Sequence, residues 1–376
     1  MHTARVCVDG APYSYQATGG ITRIYNELLP CICQIDDSLY IELVCSRHLQ
    51  QETPNHPHIS KHTLRQINLP VQLGRIREFL QSYGNDLLFD WQIKPLKHLL
   101  WHSTYFRIPQ HWDGLLVTTV YDMIHEKFPH YYPHPRYERF LEQKQQAILS
   151  ADAVICISDT TRLDVLDVYR IDPGKVHVTK LAHSNSFRTL NLSEITFGSL
   201  ANEPFLLYVG KRARYKNFKL LVEAYSKWEG KSTVALVVVG KRWNSAELSF
   251  LEEKRLLSKV QLLENINDDV LCQLYNQAIA LVYPSLYEGF GLPIIEALAC
   301  GCPVIASDIP ASREVAGDFP IYFSPDEIET LIYAFDIVLA EGRNSQRVRG
   351  GLDWVKRFTW RDTAKKTLEA YRSVFQ

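Results

Sequence analysis

The sequence predicts an α/β protein with two doubly wound, Rossmann-like domains. The chain has 376 residues, more than one hydrophobic core usually organises. Short runs of branched apolar residues alternate with amphipathic stretches, which is typical of parallel strands covered by helices on each side. A polar stretch, SNSFRTLNLSEITFGSLANEP, has no clear period and divides the apolar runs into two sets, as a linker would.

The predicted strands set the domain boundaries. The N-terminal set is RVCVD (5–9), YIELVCS (40–46), LLVTTVYD (115–122) and AVICIS (153–158), and the C-terminal set is FLLYVG (205–210), VALVVVG (234–240), ALVYPS (280–285) and PVIAS (303–307). We therefore expect an N-terminal domain over residues 1–185, a linker over 186–203 and a C-terminal domain over 204–355. In the remaining stretch, 356–376, a capping-type start and helical spacing predict an amphipathic helix.

The composition argues against several classes of function. The 41 basic and 42 acidic residues give a formal net charge of −1, so no electrostatic argument favours a nucleic-acid partner. The eight cysteines form no C-x-x-C pair and mostly have apolar neighbours, which predicts reduced core residues in a cytoplasmic protein. The N-terminus lacks the apolar stretch of a secretory signal, and no window approaches the ~18 apolar residues of a membrane span.

Glycine-bearing turns follow the first predicted strand of each domain, at residues 9–21 and 209–217. Open parallel sheets bind ligands beyond the carboxyl ends of their strands. We therefore expect both turns to reach a ligand. The first turn, DGAPYSYQATGG, does not fit the G-x-G-x-x-G pattern of a dinucleotide-dependent dehydrogenase.

The stretch YPSLYEGFGLPIIEALACGCPV (283–304) predicts a phosphate site. Pro293 suits the first turn of a helix, and Gly301 suits the position after its end. The preceding turn, which consists of Gly289, Phe290, Gly291 and Leu292, then presents backbone N–H groups at a helix N-terminus, where they favour an anion.

Two acidic residues flank this turn. A ribose diol is a natural partner for Glu296, because one carboxylate can accept both hydroxyl protons. Glu288 would then face the sugar that is carried. The alternative is ordinary loop chemistry, since an isolated G-x-G before a helix is a weak signal and an acidic residue near a helix start often only complements the helix dipole.

The segment YEGFGLPIIE resembles the E-x7-E motif of glycosyltransferase family 4, with Glu288 and Glu296 as its two acids. EALACGCPVIASDIPASREVAGD (296–318) is similar to the stretch that follows this motif in the family. The resemblance covers nearly the whole chain and is densest over 204–320. It implies the GT-B fold, in which an N-terminal acceptor-binding domain and a C-terminal nucleotide-sugar-binding domain, both Rossmann-like, face each other across a cleft. A C-terminal helix crosses back to the N-terminal domain.

The resemblance also implies an activity. Members are retaining transferases that move a sugar, here a hexose, from a nucleoside diphosphate sugar to a hydroxyl group of a glycan or lipid-linked saccharide. A basic pair after the first strand of the C-terminal domain binds the diphosphate. YVGKRARYKNF (208–218) resembles that segment, with Lys216 as the lysine, Arg212 as the assigned arginine and Lys211 as its alternate.

In the N-terminal domain, Gly19 and Gly20 resemble the glycine loop that approaches the donor phosphate. TTVYDMIHEKFP (118–129) resembles the segment where most members carry His-Asp, but this chain has Tyr121 and Asp122. The replacement puts the sugar contact at Tyr121 in doubt, while Asp122 is expected to orient the acceptor or its neighbours. His102, in the resembling loop WHSTYF (101–106), is a weaker acceptor-side candidate, and a buried structural histidine is at least as good an interpretation.

Neither a metal nor a cofactor is predicted. The chain lacks a D-x-D motif at a strand end, and the basic pair and helix amides can supply the positive charge. GGITRIYNEL and VYDMIHEKFP look most like segments of bacterial surface-polysaccharide transferases, so GDP-mannose is the first donor candidate and a UDP-hexose the second.

A lipid-linked acceptor would bring the protein to the inner face of the cell membrane. The basic and apolar stretch 75–101 could then touch the membrane, although an ordinary helical pair packed on the sheet is slightly favoured. Two alternatives to a transferase stay open, a nucleotide-sugar epimerase of the same shape and a non-catalytic nucleotide-sugar-binding protein.

Overall fold

The computed structural model describes residues 5–15, 20–67, 74–96, 99–110, 112–196 and 204–375. The chain divides into two compact units: Met1–Leu181 with Trp360–Gln376, and Ala182–Thr359. These divisions lie close to, but not at, the predicted boundaries of 185 and 355. Part of the predicted linker packs within the second unit, where the Leu190 N–H donates to Asn276 Oδ1 at 2.9 Å.

The first unit is built on a parallel sheet. Within the described ranges, its strands are β1 (Arg5–Asp9), β2 (Tyr40–Ser46), β3 (Ile59–Leu64), β4 (Leu100–Ser103), β5 (Leu116–Val120), β6 (Ala153–Cys156) and β7 (Val176–Val178). They lie in the order β3-β2-β1-β4-β5-β6-β7, so the direction of winding reverses between β1 and β4. Every residue of β4 and β5 is buried, as expected for central strands covered on both faces.

Helices connect these parallel strands. They are α1 (Pro12–Tyr15), α2 (Gly20–Ile35), α3 (Gly74–Ile93), α4 (Ile124–Lys127), α5 (Pro135–Ser150) and α6 (Asp159–Tyr169). Ser158 caps α6, because its hydroxyl accepts the Thr161 N–H at 2.9 Å.

The second unit repeats the plan with a smaller sheet. In the part of the chain that the structure describes, its strands are β8 (Phe205–Val209), β9 (Ala235–Val239), β10 (Val260–Leu263), β11 (Ala280–Tyr283), β12 (Val304–Ser307) and β13 (Ile321–Phe323). Their order is β10-β9-β8-β11-β12-β13, and all the paired strands are parallel. Here the winding reverses between β8 and β11.

The helices of the second unit are α7 (Phe218–Lys227), α8 (Ser245–Glu253), α9 (Asp268–Gln277), α10 (Leu292–Ala299), α11 (Pro310–Ala316), α12 (Ile328–Glu341) and α13 (Gln346–Val355). Helices α7 and α12 pack against one face of the sheet and share its core. Their apolar residues close over the alternating buried side chains of β8 and β9.

The last helix, α14 (Trp360–Val374), belongs to the first unit. It packs against α2 and β6, and its Thr363 Oγ1 donates to the Lys180 carbonyl at 2.8 Å. Among the helices that the structure describes, none is long and apolar enough to cross a membrane.

Candidate active site

Two loops of the second unit meet at the point where the winding of its sheet reverses. One follows β8 and spans residues 210–217, and the other follows β11 and spans residues 284–291. The Leu286 N–H donates to the Tyr215 carbonyl at 2.8 Å and joins them. The crevice beyond such strand ends is the usual ligand site of an open parallel sheet.

The second loop ends in a turn that leads directly into helix α10. Gly291 has φ +119°, which disfavours any residue with a Cβ, and a Cβ there would also lie 3.3 Å from Ile294 Cδ1. Within the described residues, the backbone N–H groups of Phe290, Gly291 and Leu292 have no hydrogen-bond acceptor. Three donors at a helix N-terminus form a site for an anion.

The acid before this turn is fixed by the loop after β8. Lys216 Nζ lies 2.6 Å from Glu288 Oε1, and both side chains are mostly buried. Burial, then the charge of Glu288 and the hydrogen bond to it, raises the pKa of Tyr283 well above its usual value. Glu288 therefore keeps a defined orientation between a cation and a hydroxyl.

Lys211 presents an unpaired cation beside this arrangement. Its side chain reaches solvent, and no described carboxylate pairs with it. Partial burial, followed by the positive charges of Lys241 and Lys216, lowers the pKa of Lys211. Three ammonium groups that repel one another create a local positive potential, which an anion would relieve.

Arg212 points into the protein instead. Its Nε and Nη2 atoms lie 2.8 and 3.0 Å from the two oxygens of Glu247, and Nη2 also donates to the carbonyls of Lys241 at 2.7 Å and Arg242 at 3.1 Å. The guanidinium lies 4.3 Å from the Trp243 ring centroid, and the side chain is only 5% exposed. Arg212 thus ties the loop after β8 to the loop after β9.

Glu296 lies inside α10 and is buried. The Tyr275 hydroxyl donates to Glu296 Oε2 at 3.2 Å. Burial, followed by the charge of Glu296, raises the pKa of Tyr275 well above its usual value. A ribose contact for Glu296 stays a prediction.

His102 lies in strand β4 and not in the loop that the sequence predicts. It is buried, with Nδ1 2.7 Å from the Tyr371 hydroxyl and Nε2 2.7 Å from Thr119 Oγ1. Burial lowers the pKa of His102 to about 3. Both ring nitrogens are engaged, so this histidine offers neither of them to a ligand.

Among the other candidates in the first unit, Tyr121 and Asp122 directly follow strand β5. Gly20 begins α2, and Gly19 lies outside the described residues. The Tyr121 hydroxyl donates to the Tyr25 hydroxyl at 3.2 Å. Asp122 Oδ1 accepts the Ile124 N–H at 3.1 Å, which fixes the carboxylate at the start of α4.

Lys144 holds the backbone at Asp122, and no sequence motif predicts this role. It is fully buried, and its ammonium donates to the Asp122 carbonyl at 2.7 Å and to Glu126 Oε2 at 2.9 Å. Tyr169 donates to the other oxygen of Glu126 at 2.7 Å. A lone lysine in an amphipathic helix gives no hint of such an inward role.

No group of three or more His, Cys, Asp or Glu side chains within the described ranges could hold a metal ion. This absence does not test the predicted metal independence, which stays a prediction.

Comparisons with known proteins agree with this fold. Residues 195–349 match the family model of glycosyl transferases group 1. The O-antigen chain mannosyltransferase B of Escherichia coli is 28% identical over 291 residues, which cover 75% of this chain and 76% of that protein.

Two solved structures share the fold over nearly their whole length. Sucrose-phosphate synthase from Thermosynechococcus elongatus has a TM-score of 0.79 at 20% identity and covers 99% of each chain. Anabaena HepE in complex with UDP-glucose has a TM-score of 0.73 at 14% identity and covers 98% of this chain and 99% of its own. The predicted GT-B fold and the predicted family are both confirmed. The chain is a GT-B glycosyltransferase, and its residues 195–349 belong to glycosyl transferases group 1.

Proposed function

We propose that this glycosyltransferase moves a hexose from a nucleoside diphosphate sugar to a hydroxyl group of a glycan or lipid-linked saccharide, with retention at the anomeric carbon. One observation carries the proposal. The open N–H groups of Phe290, Gly291 and Leu292 lie at the same strand reversal as the cations of Lys211 and Lys216. A diphosphate needs this combination of donors and positive charge.

Lys211 and Lys216 would neutralise the diphosphate as it leaves. Cleavage of the glycosyl–phosphate bond puts both bonding electrons on the phosphate oxygen, so fixed cations stabilise the transition state more than the ground state. Arg212 would act indirectly, as a positioning residue, because its contacts with Glu247 and Trp243 hold the loop that carries Lys211.

Glu288 would contact the transferred sugar, and Glu296 the ribose. The leaving phosphate oxygen accepts the proton of the attacking hydroxyl on the same face of the sugar, which gives retention without an enzymic nucleophile. The two glutamates therefore do not act as the carboxylate pair of a glycosidase. In the first unit, Asp122 would orient the acceptor, and Tyr121 occupies the position of the usual histidine.

GDP-mannose is the first donor to test and a UDP-hexose the second. The mannosyltransferase relative supports the former, and the UDP-glucose complex of the structural neighbour supports a nucleotide sugar in general. All eight cysteines are free, in keeping with a reducing cytoplasm. A lipid-linked acceptor would place the protein at the inner face of the cell membrane.

One assay tests the reaction. The protein is incubated with GDP-mannose or UDP-hexoses, with and without glycan acceptors, and products are identified by mass spectrometry and anomeric proton NMR. We expect an acceptor-dependent product with the anomeric configuration of the donor. An inverted product would contradict retention, an isomerised nucleotide sugar without acceptor would indicate an epimerase, and binding without turnover would indicate a non-catalytic protein.

A further inference from the structure

The first unit has its own crevice at the reversal between β1 and β4. These neighbouring strands are parallel, with Val8 opposite His102. Asp9 is the last residue of β1, and residues 104–107 follow β4. Both segments therefore reach the edge where an open parallel sheet binds ligands.

Asp9 has an unused oxygen. The residue is 1% exposed, and its Oδ1 accepts the Ala11 N–H at 3.1 Å. Its Oδ2 is buried and has no hydrogen-bond partner among the described residues. Burial raises the pKa of Asp9 to about 6, against the opposing charge of Arg107 and the Ala11 N–H. A buried acceptor without a donor is costly, and a ligand hydroxyl would satisfy it.

Two tyrosines lie shortly after the same strand ends, Tyr15 after β1 and Tyr105 after β4. The Tyr15 side chain is 49% exposed, and its ring centroid lies 5.8 Å from that of Tyr105. Burial, followed by the charge of Asp9, raises the pKa of Tyr15, so the two side chains are electrostatic neighbours.

The loop that carries Tyr105 has a constrained backbone. Phe106 has φ +64°, an uncommon conformation for a bulky residue. The Thr104 hydroxyl fixes the same loop to the Asp9 carbonyl at 2.7 Å. Backbone strain of this kind is retained where the surrounding structure needs a particular side-chain position.

The charges select the class of ligand. Asp9 would repel a phosphate, and Arg107, whose charge acts on Asp9, would disfavour a cation. A neutral molecule that offers a hydroxyl to Asp9 Oδ2 and an apolar face to aromatic rings satisfies both conditions. A pyranose ring has both features.

We propose that Asp9, Tyr15 and Tyr105 form a subsite for a neutral pyranosyl residue of the acceptor. The subsite rests on the proposed function, since an acceptor glycan would supply this residue. Asp9 binds a hydroxyl group and takes no part in the proton transfer.

Saturation-transfer NMR on the full chain tests the subsite, with the methyl α-pyranosides of mannose, glucose and galactose as probes. At least one probe should bind the parent chain. Asp9→Asn and Tyr15→Leu should each weaken its binding about ten- to hundredfold, the usual effect of losing a hydrogen bond to a charged group or an aromatic contact. The half-exposed Tyr15 position keeps the test usable if Asp9→Asn fails to fold.

A matched control is Tyr40→Leu. Tyr40 is 38% exposed but begins β2, at the amino end of the sheet, so probe binding should be unchanged. Equal binding by the parent, Asp9→Asn and Tyr15→Leu chains would overturn the subsite, as would no binding of any probe by the parent. Competition by inorganic phosphate would overturn its neutral character.

Two further variants separate this subsite from the donor site. Lys211→Met should lose transfer and keep probe binding, whereas Asp9→Asn should raise the acceptor KM. Full activity of Lys211→Met would count against the proposed function alone. Probe binding that is lost in Glu288→Ala but kept in Asp9→Asn would place the probe at the donor site and overturn the subsite.

Discussion

Replacement of Lys211 or Arg212 by methionine separates a charge that acts on the ligand from one that acts on the protein. Both changes remove one positive charge and keep an unbranched side chain. Lys211 has no described counter-ion, whereas Arg212 makes four hydrogen bonds to Glu247 and two carbonyls and lies 4.3 Å from the Trp243 ring centroid. The two variants should therefore differ in both stability and turnover.

The magnitudes follow from these contacts. Arg212→Met breaks the ion pair with Glu247. Loss of a buried ion pair lowers the free energy of unfolding by about 3–5 kcal/mol, and we expect about 2–3 kcal/mol here because Glu247 is partly exposed and keeps its capping contacts with Asn244. For a unit of this size, that loss lowers the melting temperature by about 4–12 °C. Lys211→Met should leave the melting temperature within about 1–2 °C of the parent, since surface changes cost at most ~0.5 kcal/mol.

Turnover should show the opposite order. Loss of one fixed charge at the leaving group lowers kcat about 10²–10³-fold, so Lys211→Met should be nearly inactive with the donor and acceptor that the parent uses. Measured below its own melting transition, Arg212→Met should stay within about tenfold of the parent, because the Nε and Nη2 atoms of Arg212 are held by protein groups. Thermal melts and initial rates on the same preparations provide the comparison. A stable but inactive Arg212→Met beside an active Lys211→Met would refute this reasoning and restore Arg212 as the diphosphate ligand.

Four further predictions concern the acids, the partner of the buried histidine, the pH dependence of stability and the metal. Glu288→Ala should impair transfer strongly while Glu296→Ala chiefly weakens nucleotide binding, as shown by kinetics and calorimetry; parent-like values for both would contradict their placement. Tyr371→Phe leaves His102 Nδ1 without its partner at 2.7 Å and should cost about 1–3 kcal/mol in urea unfolding, whereas an unchanged midpoint would argue against the buried network. Burial lowers the pKa of His102 from 6.5 to about 3. Below pH 6.5 His102 is therefore protonated in the unfolded chain but stays neutral in the folded chain, so the free energy of unfolding falls as the pH drops. The loss approaches ~1.4 kcal/mol per pH unit, and His102→Leu should show a correspondingly shallower dependence from pH 7 to 5. Turnover should survive a chelator, and activity that is lost in chelator and returns with Mg²⁺ would overturn metal independence.

The sequence predicts most of the central strands, because they are apolar on both faces. RVCVD, YIELVCS and FLLYV are found as strands at or within one residue of their predicted bounds. The strands β3, β4, β7, β10 and β13 were not predicted. ISKHTL is largely polar, and the other four strands span only three or four residues. Their pairing depends on a neighbouring strand, which local pattern does not reveal.

The candidate site could also be predicted only in part. The turn before α10 could be predicted because Pro293 and the glycines have local conformational requirements. The orientation of Arg212 could not, because its partner Glu247 lies on another helix and adjacent basic residues look alike in a sequence. The pairing of His102 with Tyr371 also joins distant segments, so only the fold could place that histidine in the core.

A structure of the protein with GDP or UDP bound would test the central claim most directly. We expect the diphosphate oxygens within hydrogen-bond distance of the N–H groups of Phe290, Gly291 and Leu292, with the ammonium groups of Lys211 and Lys216 beside them. A nucleotide bound elsewhere, with these three N–H groups facing solvent, would contradict the account.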